Sequence, residues 1–229
     1  MDLFNTPLFG IILTMVSYLI GISILKKYQL PIFNPILIAL IIIIPIMLYF
    51  KIPLEFYKKG GNYITFFLGP ATVVLALPLY KNLNLLKQHF RPIIGGVIAG
   101  VFSSMISCIA IGKMFGLDLL LIRSSLPKSI TTPIGIELTK QVGGIIPITI
   151  VMILITGITG AVIAPFVIKI FKIKNKVAIG IAIGTASHAV GTSKAIEIGE
   201  VEGAMSGLAI GLAGVLTIFI LPLISNLLF

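Results

Sequence analysis

Residues 184–194 read GTASHAVGTSK and lie between two long apolar stretches. These eleven residues hold two Gly, two Thr, two Ser, a His and a Lys. Hydrocarbon offers no water to satisfy polar side chains, so a segment crossing it with this load must turn them toward a protein interior or a hydrated cavity. The stretch marks both a chain built for a bilayer and the first place to look for what the chain handles.

The composition around it agrees. Of 229 residues, 58% are hydrophobic and 10% charged, and the mean hydropathy is +1.17. Soluble domains carry about a quarter charged residues, so the chain reads as an all-α integral membrane protein. Apolar blocks near the roughly 20 residues a spanning helix needs suggest about seven to nine crossings in one membrane domain, 1–229. The opening MDLFNTPLFG lacks a basic n-region and a small-residue cleavage site, and reads as the start of a retained first helix. Cys108 stands alone in an apolar run and reads as a small buried hydrophobe. The net charge of +10 does not point to nucleic acid. Lys and Arg fall in short clusters at segment ends (Lys26-Lys27, Lys58-Lys59, 81–91, 169–176), the pattern of interfacial anchoring.

The expected crossings are 7–25, 30–50, 62–80, 92–111, 145–170, 177–197 and 203–229. KIPLEFYKKGG (51–61) reads as an amphipathic link too polar to cross. Residues 117–141 are ambiguous, either a hairpin or two short crossings joined near Pro127. The halves resemble each other. A shift of 115 lays Gly69-Pro70-Ala71-Thr72 over Gly184-Thr185-Ala186-Ser187, and a shift of 114 lays Ala99-Gly100-Val101 over Ala213-Gly214-Val215. Pseudo-repeats over about 6–112 and 117–229 follow, and interrupted hydrophobic segments at matching positions are the sequence pointer to a transporter site. Four crossings per half would make the repeat parallel; a hairpin within 117–141 would make it inverted.

Pro70 lacks an N–H and disfavours helical geometry at Gly69, so a new helix can begin there with the Ala71 and Thr72 amides open. Such an end attracts anions without a formal positive charge. Gly184-Thr185 repeats the arrangement, with Thr185 or Ser187 as cap. Two such broken helices crossing at mid-membrane would hold a small carboxylate; the alternative is a kink filled by neighbouring helices. His188 either bonds that carboxylate or relays a proton, or is a buried neutral imidazole bonded to a carbonyl. Ser129, Thr131 and Thr132, between Pro127 and Pro133, either line a pocket or bond back to their own helix. Thr192 joins the candidate set. Lys194 is expected to snorkel, Glu137 to be a helix-end charge, and Glu197, Glu200 and Glu202 to form a solvated link. There is no metal-ligand spacing, phosphate loop or nucleophile–base arrangement. No enzyme and no cofactor are expected, beyond a coupling H⁺ or Na⁺.

Three blocks, LGPATVVLALPLYKN (68–82), LPKSITTPIGIELTKQVGG (126–144) and GTASHAVGTSKAIEIGEVEGAMSGLA (184–209), resemble the LrgB/CidB family of bacterial membrane proteins, and the resemblance runs the length of the chain. The ELTKQVGG tail and the basic first link are more CidB-like. The resemblance implies two pictures in the bacterial cytoplasmic membrane. One is a secondary carrier of small monocarboxylates such as pyruvate, lactate or glycolate. The other is a holin/antiholin-type modulator of murein hydrolase activity and lysis, acting with a small LrgA/CidA-like membrane partner. Either would work in the lipid bilayer, with self-association into a homo-oligomer expected.

Overall fold

Long apolar runs without turn signals fold as helices, because a helix satisfies its own backbone in hydrocarbon. The computed structural model describes residues 4–28, 33–67, 70, 73–74, 76–81, 83–88 and 90–228, and all regular structure among them is helical. The elements are α1 (Pro7–Tyr28), α2 (Pro35–Tyr49), α3 (Leu54–Phe66), α4 (Ala76–Lys81), α5 (Leu83–Gln88), α6 (Phe90–Met114), α7 (Leu119–Ser125), a 3-10 turn (Leu126–Ser129), α8 (Thr132–Gln141), α9 (Ile146–Ile170), α10 (Lys176–Ile198) and α11 (Glu200–Leu228). Among the described residues, α1, α6, α9 and α11 have the length and composition to cross a bilayer, and α2 is a shorter apolar helix. The chain divides into two units, Met1–Thr72 and Val73–Phe229.

In the first unit, small residues let helices touch backbone to backbone. Gly10 of α1 meets Gly60 and the Tyr57 carbonyl of α3, and Gly21 meets Pro35 at the start of α2. Membrane helices gain little from burying apolar surface against each other, so this close packing is what holds them together. Leu8, Ile12, Met15 and Leu19 stay exposed on the outer face of α1, and Lys26 and Lys27 close it where the dipole favours cations. The link 51–61, read as amphipathic and too polar to cross, is helical from Leu54, and its helix runs on to Phe66. Gly60 docks on α1, while Lys58 and Lys59 remain outside. The crossing expected over 62–80 is described only in part. α3 ends at Phe66, α4 opens at Ala76, and Gly69 and Thr72 lie outside the described residues.

The second unit carries the main core. Ile93, Val97, Val101 and Met105 recur every four residues along α6 and pack on Leu126, Ile181, Met205, Leu208 and Ala213. Phe102 and Ile106, Val151 and Ile155, and Phe219 and Leu223 point outward from α6, α9 and α11. α10 is the enclosed helix, and glycines on every side make room for it. Gly96 and Gly100 of α6 lie against Ile181 and Thr185. Gly157 and Gly160 of α9 lie against His188 and Ser187. Gly180 and Gly184 of α10 itself lie against the α11 backbone around Glu202 and Ser206. Residues 117–141 form two short helices joined through Pro127.

Candidate functional site

α10 is broken, and the break is at His188. Its φ of 42° and ψ of −142° separate a half-helix over 176–187 from one over 189–198. A non-glycine residue held there costs about 1–3 kcal/mol and persists only where its surroundings fix it. Three contacts do so. His188 Nε2 donates to the Ile153 carbonyl of α9 at 2.9 Å. The Thr192 hydroxyl donates to the His188 carbonyl at 3.0 Å. Thr192 Oγ1 also lies 2.7 Å from Ser206 Oγ of α11. A carbonyl only accepts, so Nε2 carries the proton in this bond. Sequence reasoning put the break at Gly184, but Gly184 sits inside the first half-helix and serves close approach: a side chain there would strike the Ser206 backbone. Thr185 and Ser187 lie upstream of the break and are not its caps.

A second break lies in 126–131. Pro127 (φ −83°, ψ 20°) leaves helical geometry, and Ile130 and Thr131 are extended before α8 opens at Thr132 with Pro133 in its first turn. Thr131 holds the N-cap position without a side-chain capping bond. It is buried, and its Oγ1 has no partner. Thr132 is half-buried at the first helical position.

Ser129 of this second break and Thr185 of α10 meet around a cavity of about 10 Å³, together with Ser104 of α6 and Thr217 of α11. That volume admits one water-sized occupant. Ser104 Oγ lies 2.8 Å from Ser129 Oγ, and the Lys128 ammonium donates to Ser104 Oγ at 2.8 Å. Thr185 Oγ1 is buried with no partner, a state that costs about 1–3 kcal/mol.

The polar motif is thus sorted in two. Thr185 faces the cavity. Ser187 packs on Gly160, and His188 and Thr192 hold the break to α9 and α11. Sequence reasoning missed Ser104 and Thr217, which line the cavity, and Lys128, which donates to Ser104. The signal was there for Ser104 and Thr217, which are polar residues inside apolar helices. It also misplaced Glu202, which is 5% exposed in the first turn of α11 with Oε2 unpartnered. The chain doubles back at Gly199 and folds that carboxylate beneath it. Glu137–Lys140 and Lys194–Glu197 are pairs three residues apart, at 2.6 and 2.7 Å. Among the described residues no His, Cys, Asp and Glu group is placed to hold a metal.

Comparison with known proteins bears on this arrangement as a whole. The model of the LrgB-like family matches residues 14–227. The uncharacterized protein YxaC of Bacillus subtilis (strain 168) is 41% identical over 214 residues, 93% of each chain. The antiholin-like protein LrgB of Bacillus cereus (strain B4264) is 34% identical over 219 residues, 95% of each chain. The protein of that name in Bacillus anthracis (strain CDC 684 / NRRL 3495) matches to the same extent. No solved structure matches the chain.

Proposed function

The chain belongs to the LrgB-like family, and from that premise we propose that it acts in the bacterial cytoplasmic membrane as an antiholin-like protein, a multi-pass modulator of murein hydrolase activity and lysis working with a small LrgA/CidA-like membrane partner. Kinship over nearly the whole length of both chains with proteins that bear the antiholin-like name carries this reading. The apolar outer faces of α1, α6, α9 and α11 suit lipid, further copies of the chain, or the helices of such a partner. The test is complementation. A bacterium lacking its own LrgB-like protein receives this chain, with and without an LrgA-like partner, and its rate of induced autolysis is followed. An unchanged rate in both settings removes the reading.

A second reading is favoured by one specific observation, the small cavity at the second break, where the hydroxyl residues Ser104, Ser129, Thr185 and Thr217 come together among apolar side chains. A hollow holding hydroxyls beside one broken segment and one turn from the break of another helix suits alternating access. Here the chain is a secondary carrier of a small monocarboxylate of the pyruvate, lactate or glycolate class, coupled to H⁺ or Na⁺. The cavity is the closed form of its site and widens to admit the solute. Uptake of labelled pyruvate into proteoliposomes tests it. Absence of saturable flux, alone and with the partner protein, removes it.

A further inference from the structure

We propose that Lys128 is the charge that makes the cavity a site for a monoanion. This rests on the carrier reading and names the residue that selects its solute. Lys128 sits in the 3-10 turn of the second break, half-buried, and donates to Ser104. The two ion pairs among the described residues, Glu137–Lys140 and Lys194–Glu197, are elsewhere, so Lys128 has no acidic counter-ion among them. A cation at membrane depth is held only where something compensates it, and a serine hydroxyl is a weak compensation.

The hydroxyls supply donors to the site. Lys128 donates to Ser104 Oγ, and Ser104 and Ser129 share a bond at 2.8 Å that either hydroxyl can donate. Whichever way it runs, the other hydroxyl of the pair keeps a proton beside the cavity that both line. Thr185 Oγ1, buried and unpartnered on the cavity wall, offers a second donor. No carboxylate lines the space. A Na⁺ there would lie one hydroxyl away from an ammonium, and like charges at that range repel. A carboxylate head would receive two hydroxyl protons and supply the counter-ion that Lys128 lacks.

The test uses the full-length protein in detergent micelles. Binding of labelled pyruvate is competed by pyruvamide, which has nearly the same shape without the charge. Wild type is expected to prefer pyruvate at least tenfold. Lys128→Gln, which keeps a donor for Ser104 but no charge, is expected to lose that preference while helix content and elution volume stay unchanged. Lys128→Arg is expected to keep it. Should Lys128→Gln not fold, Lys128→Met carries the same comparison. A folded neutral variant that still prefers pyruvate tenfold overturns the proposal and leaves the carrier reading standing. A wild type that binds neither compound removes the carrier reading, and the proposal with it.

Discussion

His188 Nε2 lies 2.9 Å from the Ile153 carbonyl oxygen, and this bond ties the break in α10 to α9. It holds His188 in a backbone conformation that favours glycine. Two substitutions separate the side chain from the backbone. His188→Ala loses the imidazole bond and keeps the strain; His188→Gly loses the same bond and relieves the strain. His188→Gly is expected to be the more stable of the two by about 1–2 kcal/mol, read from unfolding titrations in mixed micelles. The reverse order would mean that the helix is not broken at this residue.

Gly184 and Gly211 make a second pair. A side chain at Gly184 would strike the α11 backbone at Ser206, whereas one at Gly211 meets nothing within 4 Å. Gly184→Ala is expected to cost about 1–3 kcal/mol, the usual cost of overpacking. Gly211→Ala is expected to be neutral or to stabilise by up to about 1 kcal/mol, since alanine is the better helix former. Unfolding of both variants side by side checks it. Equal costs would argue that α10 and α11 are not in close contact at Gly184.

A third expectation concerns a polar knot away from the cavity. Thr149 Oγ1 donates to the Ser124 carbonyl at 2.7 Å and lies 2.8 Å from Thr139 Oγ1, and the Ile145 amide donates to Ser124 Oγ at 2.7 Å. These bonds fasten α7 to the turn between α8 and α9. Thr149→Val keeps the shape and takes the hydroxyl donor from the Ser124 carbonyl, while Thr139 keeps its bond to the Gly135 carbonyl, so it is expected to destabilise by about 1–3 kcal/mol. Thermal unfolding of the purified variant is the measurement, and an unchanged midpoint would count against the knot.

Membership of the bilayer class was legible from composition, and the existence of the long helices from apolar runs of spanning length, because both depend on sums over many residues. The break near Pro127 was legible because proline acts through its own covalent geometry. The break at His188 was not. Histidine has no intrinsic tendency to that conformation, which is imposed by Ile153, thirty-five residues earlier. Glycine pointed the wrong way for the same reason: a glycine that admits a neighbouring backbone looks, in one dimension, like a glycine that turns the chain. Glu202 looked solvated among Glu197 and Glu200 because burial at a helix start depends on how the chain doubles back at Gly199. Thr185 and Ser129 were both named from sequence, but Ser104 and Thr217 come to them only through tertiary packing, which also brings Lys128, the chain neighbour of Ser129, onto Ser104.

Thr185 sets stability against function. Its hydroxyl is buried at the cavity without a partner, while its methyl packs on Gly100. Thr185→Val keeps the shape and the methyl contact and removes the unsatisfied group. If the residue were only packing, the variant would be more stable by about 1–3 kcal/mol and otherwise unchanged. If the hydroxyl meets a solute, the same gain in stability is expected together with loss of pyruvate uptake in proteoliposomes. An antiholin-like role that works through assembly alone leaves the control of autolysis intact in this variant. Thermal midpoint, uptake and autolysis measured on one substitution therefore separate the two functional readings. A fall in the midpoint would show that Thr185 Oγ1 has a bonding partner in the folded protein, and the cavity would then lose the group that most marks it as a site.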